Sequence, residues 1–197
     1  MWNNMKIGFI IYDGLTALDF VGVHDPVTRL KTMGFVSDLS WEICALESTV
    51  TATGGVTLNA SATGGTLDSF DTIIVPGCVD IEETFANEEL IDWIATASGC
   101  RLIATVCTGS VLCGAAGLLD DARATTHPMA YDDLSRYCEV SEQRVVDDGS
   151  IISARGVTSA IDLGLYLCER ITDEQTRKSI AKQMDYPHYS SSIKDKD

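Results

Sequence analysis

The sequence predicts an α/β protein, a three-layer sandwich with a mostly parallel central sheet and helices on both faces. Two observations carry that reading. Short, nearly continuous apolar runs alternate with segments of helical spacing along the chain, as repeated βα units require. The runs Lys6–Tyr12, Asp71–Pro76 and Leu102–Val106 lack the apolar/polar alternation of a half-exposed strand, so they read as strands buried on both faces.

Taken in order, Lys6–Tyr12 is the first strand, followed by a helix carrying Val27, Leu30 and Met33 and closed by Gly34. Asp25 followed by Pro26 reads as that helix's N-cap with proline at the first helical position, and His24 as a polar helix-end residue. Trp41–Leu46 is a second strand, and Val50–Leu58 a hairpin turned at Gly54-Gly55. Asp71–Pro76 is a strand ending in a Pro-Gly turn, and Glu88–Ala97 an amphipathic helix. Ala122–His127 is a short strand, and Arg144–Ser153 a hairpin with a type I′-compatible Asp148-Gly149 turn. Helices over Thr158–Ile171 and Asp173–Met184 complete a single domain over residues 5–187. The last residues, from Tyr186 and above all the tail 188–197, read as loosely held.

Composition narrows the function. With 197 residues, 45% of them hydrophobic, the chain is long enough for one sizeable core. No apolar run has membrane-spanning length, and the N-terminus leads into the first strand without a signal-peptide core. Seven cysteines, an odd number without a C-x-x-C pair, suit neither a disulfide framework nor a thiolate zinc site, so the thiols read as reduced and cytoplasmic. A net charge of −15 disfavours nucleic acid and anionic membrane and suits a small neutral substrate. No metal or cofactor motif is found.

The chemistry concentrates where strands end. In Leu102–Val106-Cys107-Thr108-Gly109-Ser110, a strand runs into a cysteine, a sharp turn and a helix, the device that presents a nucleophile at an elbow. A helix N-terminus there favours the thiolate, and the elbow predicts an unfavourable backbone conformation at Cys107. The plain alternative is a buried structural cysteine. Asp13, Pro76-Gly77 and Cys107 all fall at carboxyl ends of strands, the binding edge of a parallel sheet. Asp19 is an acid in an apolar setting, read as a site residue or a helix cap. Gly77 and Cys78 offer loop amides for an oxyanion, or are merely a turn. His127 either polarises the site or caps the next helix.

The run Leu18-Asp19-Phe-Val-Gly22, Ile-Val-Pro76-Gly77, Val106-Cys107-Thr108-Gly109-Ser110, Gly114-Ala-Ala-Gly-Leu-Leu119 and Arg123-Ala-Thr-Thr-His127 resembles the PfpI-type superfamily. Gly156–Asp162 and Gln183–Pro187 resemble its isonitrile hydratase branch. The resemblance implies the flavodoxin-like, class I glutamine amidotransferase-like fold and a homodimer. It also implies Cys107 as nucleophile, Asp19 as general acid/base, Thr108 as a supporting hydroxyl, and a pocket including Gly77, Cys78, His127, Gly156 and Val157. The implied reaction adds water to an isonitrile, giving an N-substituted formamide without metal or cofactor. A glyoxalase or deglycase acting on reactive carbonyls is a second reading, but that branch uses a glutamate and none lies between Met1 and Trp41. A redox- or ligand-sensing module is a third. The regulators of this superfamily carry a DNA-binding domain, and the chain ends before one could begin. Three departures bear on substrate shape. Cys78 stands where the pattern has glycine, Ala154-Arg155-Gly156 where it has three glycines, and Val23 where it has proline. Arg155 therefore either narrows the pocket rim or points outward to a surface acid.

Overall fold

A computed structural model describes residues 4–187, and the expected tail 188–197 lies outside them. Strand β1 (Lys6–Ile10) leads through a short loop into helix α1 (Ala17–Thr32), and β2 (Ser40–Ala45) returns beside β1. The hairpin of β3 (Thr49–Thr51) and β4 (Thr57–Asn59) turns at Gly54 and Gly55, both at positive φ as expected. After the two-residue β5 (Ala62–Thr63) come β6 (Thr72–Val75), α2 (Ile81–Phe85) and α3 (Glu88–Ala95). Strand β7 (Leu102–Val106) feeds α4 (Gly109–Ala115), followed by β8 (Arg123–Ala124), α5 (Tyr131–Leu134) and β9 (Glu139–Val140). The hairpin β10 (Val145–Asp147) and β11 (Ile151–Ala154) precedes α6 (Ser159–Ile171) and α7 (Glu174–Gln183).

Seven strands form one sheet in the order β10-β11-β7-β6-β1-β2-β5, parallel throughout except for the β10–β11 hairpin. Every residue of β6 and β7 is buried, as the reading of those runs as strands covered on both faces predicts, and so is every residue of β11. Helices α1, α6 and α7 pack on one another, and α4 packs against both α3 and α5, giving the helical layers of an α/β sandwich. The chain leaves β1 toward β2 on one side and later builds β6 and β7 on the other. That reversal opens a crevice at the carboxyl ends of β1 and β6.

Four local expectations change. Helix α1 begins nine residues before Pro26, so Asp25 is not an N-cap; it lies inside the helix and pairs with Arg29 one turn on, Oδ2 to Nη2 at 2.8 Å. The Pro26 ring packs against α6 where Gly164 leaves room for it: a Cβ at 164 would come within 2.3 Å of Pro26 Cγ. The β10–β11 turn has Gly149 at φ 86° while Asp148 stays negative. A type I′ turn needs both positive, so this is the II′ pattern centred on Gly149-Ser150. The strand expected over Ala122–His127 shortens to β8 because Thr125 N–H donates to Ser153 Oγ and the Thr126 hydroxyl donates to Cys107 O. Finally, Tyr186 is held: its hydroxyl donates to Asp162 Oδ1 at 3.1 Å, and Arg144 Nε donates to Oδ2 of the same carboxylate at 2.6 Å.

Candidate active site

Three loops meet at the crevice. The backbone of Thr16 donates to Gly77 O at 2.8 Å, which fixes the start of α1 against the loop after β6 and points its first turn inward. Asp19, fully buried, lies in that turn and its Oδ2 accepts the Gly77 N–H at 3.0 Å. The third loop is the elbow. Cys107 has φ 56°, a left-handed conformation unfavourable for a non-glycine residue, as the strand-turn-helix reading predicts. Its strained backbone is held on both sides. The N–H donates to the carbonyls of Ala154 and Arg155 at 3.0 and 2.8 Å. The carbonyl accepts from the hydroxyls of Ser110 and Thr126 at 3.2 and 2.8 Å.

Close approach here requires glycine. A Cβ on Gly77 would lie 2.6 Å from Thr108 N and 2.9 Å from Cys107 Cβ, and one on Gly109 would lie 2.3 Å from Val75 O. The two loops are therefore in backbone contact at the thiol.

The electrostatics are those of a buried acid pair. Burial raises the Asp19 carboxyl to about 7, although the Gly77 N–H and the Cys107 thiol act to lower it. Its Oδ1 is buried and met by no well-aligned protein donor. Burial and then the Asp19 charge push the Cys107 thiol up to about 12, against the Thr108 N–H and hydroxyl, which stabilise the thiolate. The expectation of a helix-stabilised thiolate is thus reversed for the resting site. The seven-residue α4 is outweighed by burial beside a carboxylate, and the sulfur keeps its proton.

Thr108 links the elbow to the neighbouring loop. Its Oγ1 accepts the Cys78 N–H at 2.8 Å and donates to Cys78 O at 2.9 Å. The amides of Gly77 and Cys78 are thereby engaged, by Asp19 and Thr108 respectively, so neither is free to cradle an oxyanion. The amide directed at the sulfur is that of Thr108. His127 takes its capping role: Nδ1 accepts the Met129 N–H at 3.3 Å, and its ring packs on Gly156, where a Cβ would meet Cδ2 at 2.8 Å. Val157 is half-buried against the core. The Arg155 carbonyl touches the elbow, while its guanidinium lies 5.9 Å over the Tyr131 ring rather than on a surface acid. His24 lies in an aromatic cluster with Phe9, Phe20 and Trp41.

Two participants were not singled out from sequence. Tyr12, at the end of the first expected strand, donates its hydroxyl to Pro76 O at 2.8 Å. Its ionisation is raised well above the ordinary tyrosine value by burial, then by Cys78 and Asp19. The position was legible, since it directly precedes Asp13 at the binding edge, but an apolar strand end gives no sign of a hydroxyl contact. Thr126, two residues past β8, is the other. Beyond Tyr12 an open cleft of about 690 Å³ is lined by Asp13, Glu47, Val79, Asp80 and Glu83. All seven cysteines are free. Among the described residues no group of three His, Cys, Asp or Glu side chains is placed to hold a metal ion, and no helix is long and apolar enough to cross a membrane.

The chain is similar to known proteins in sequence and fold. The chain is 31% identical over 184 residues to an isonitrile hydratase of Pseudomonas putida, covering 92% of this chain and 78% of that one. It is 24% identical over 188 residues to the HTH-type transcriptional regulator GbdR of Pseudomonas aeruginosa, of which it spans only 51%. A crystal structure of a ThiJ/PfpI family protein from Pseudomonas syringae superposes with a TM-score of 0.83 at 26% identity, covering 97% of this chain and 78% of that one. Residues 5–170 match the DJ-1/PfpI family, and with its parallel sheet and strained elbow cysteine the chain belongs to that family.

Proposed function

We propose that the chain is a cysteine-dependent hydratase that converts an isonitrile to an N-substituted formamide. The observation that carries this reading is a buried aspartate with its carboxyl raised to about 7, fixed by the Gly77 N–H and acting on the Cys107 thiol. An acid poised near neutrality serves as both proton donor and proton acceptor. The similarity to an isonitrile hydratase supports the same reading.

The proposed steps follow from where the protons start. Cys107 holds its proton in the resting site, so the Asp19 carboxylate first takes it as the sulfur attacks the isonitrile carbon. Asp19 then delivers that proton to the same carbon, leaving a thioimidate, S–CH=N–R. Water adds to this carbon while Asp19 removes one of its protons. The nitrogen is protonated, the C–S bond breaks, and HC(=O)–NH–R leaves with the sulfur restored. Thr108, through its N–H, stabilises negative charge on the sulfur at both ends of the cycle, while its hydroxyl ties the elbow to the Cys78 loop. The acidic cleft beside the site and the net charge of −15 favour a neutral substrate over an anionic one.

The purified chain is to be given cyclohexyl isocyanide and, separately, methylglyoxal, with detection of N-cyclohexylformamide and lactate. Formamide alone is expected. Lactate alone would transfer the chain to the glyoxalase reading. Neither product would favour a sensing role, to which the similarity to a regulator lends weight. A homodimer is part of the proposal, with exposed Leu18 and Val21 flanking Asp19 on α1. Light scattering that finds only monomer at micromolar concentration would remove it.

A further inference from the structure

Two thiols, not one, face the centre of this site. Cys107 and Cys78 come from different loops, and both are about 4% exposed. The residue after Cys107 reaches the second thiol: Thr108 Oγ1 is 3.7 Å from Cys78 Sγ. Cys78 also acts electrostatically on Cys107, disfavouring its thiolate. The loops are in contact at this point, because a Cβ on Gly77, the residue before Cys78, would lie 2.9 Å from Cys107 Cβ. Cys78 Sγ is otherwise lightly held, by a 3.4 Å hydrogen bond to Asp80 O. The other five thiols have no such pairing in the site. Cys113 and Cys168 are fully buried among helices, and Cys168 donates to Pro26 O.

We propose that Cys78 is a resolving thiol: when a peroxide oxidises Cys107, Cys78 captures the product as a reversible Cys78–Cys107 disulfide. The proposal rests on Cys107 being the reactive thiol of the site. In the first step Asp19 takes the Cys107 proton and the sulfur attacks one peroxide oxygen. The O–O bond breaks, Cys107 becomes the sulfenic acid, and the departing oxygen leaves as water or an alcohol. In the second step the Cys78 sulfur attacks the sulfenic sulfur. The S–S bond forms, the S–O bond breaks, and hydroxide leaves with the Cys78 proton as water. Two thiols lose two protons and two electrons, and one peroxide takes them up and is reduced. Forming the bond requires Cys78 to turn about χ1, past the Thr108 hydroxyl, until the sulfurs reach disulfide distance of about 2 Å. A glycine at position 78 would leave Cys107 to climb to the irreversible sulfinic and sulfonic acids.

The test uses the full reduced chain with an equal amount of hydrogen peroxide, followed by differential alkylation and peptide mass mapping. The expected wild-type product has lost two hydrogens, carries a cross-link between the peptides of Cys78 and Cys107, and returns both thiols on treatment with dithiothreitol. Cys78→Gly and Cys78→Ser are expected to gain two or three oxygens at Cys107, with roughly tenfold less dithiothreitol-recoverable Cys107 than wild type. Wild type that over-oxidises at Cys107 with Cys78 still open to alkylation would overturn the proposal. So would a cross-link to any other cysteine, or no oxidation at Cys107. A chain that forms the bond but makes no formamide would sink the hydratase reading and leave this one standing; formamide synthesis with over-oxidation would do the reverse.

Discussion

The crevice around Cys107 and the seam between α1 and α6 are packed equally tightly, and by the same means. At the seam, glycines bring helices together: a Cβ on Gly22 would lie 2.7 Å from Ala160 Cβ, and one on Gly164 would lie 2.3 Å from Pro26 Cγ. What meets there is mostly apolar, and Cys168 is satisfied by Pro26 O. At the crevice, Gly77 and Gly109 bring loops together, but the groups they gather are a carboxyl, two thiols and two hydroxyls. There the contact costs stability, in a left-handed Cys107 and a carboxyl Oδ1 without a well-aligned donor. Close packing of apolar groups builds a core, and close packing that holds a thiol and a carboxyl together at a strained turn builds a reactive site.

Substitutions break the two regions differently. Cys107→Ser and Asp19→Asn are each expected to lower formamide turnover by about a thousandfold or more, because they remove the nucleophile and its proton carrier. The double variant is expected to be no worse than either single one, since the pair acts as a unit. Turnover within tenfold of wild type in Asp19→Asn would make Asp19 a structural residue.

The same Asp19→Asn change is expected to stabilise the fold. Asp19 titrates near 3.8 in an ordinary setting and at about 7 here, so the native state holds its proton more tightly than the unfolded chain. Stability from this group is therefore full below pH ~4, declines as pH rises through about 7, and is then lost by on the order of a few kcal/mol. Asparagine has no charge to desolvate. Its Tm advantage over wild type should be smallest near pH 4 and largest above pH 7. A difference that does not change with pH would contradict the raised carboxyl.

At the seam the pattern inverts. Gly164→Ala places a methyl group against Pro26 and the Val23 backbone and is expected to cost about 1–3 kcal/mol in denaturant unfolding. Turnover per folded molecule should be unchanged. Cys168→Ala, which removes one weak hydrogen bond, is expected to cost about 1 kcal/mol and to leave turnover alone. A large loss of turnover from either would mean that the regions are coupled.

The sequence disclosed the two regions unequally. The elbow was legible because its signals are local: an apolar strand, a cysteine and a glycine adjacent in the chain. The left-handed Cys107 follows from that order alone. The start of α1 was not legible, because proline normally marks a helix start, and the room for its ring at 26 is left by Gly164, far along the chain. Long-range contact also hid the role of Tyr12, the engagement of the loop amides and the anchoring of Tyr186 by Asp162. The thiolate expectation failed for a related reason. Helix position is written in sequence, but burial beside Asp19 is a property of the folded site, and it dominates.

The central claim is that Cys107 adds to the isonitrile carbon with Asp19 moving the proton. It is tested most directly by mixing the full chain with cyclohexyl isocyanide, quenching in acid at short times and mapping the adduct by mass. A thioimidate on Cys107 is expected, appearing before N-cyclohexylformamide and absent from Cys107→Ser. Formamide produced at the wild-type rate with no adduct on Cys107, or with the adduct on another residue, would contradict it.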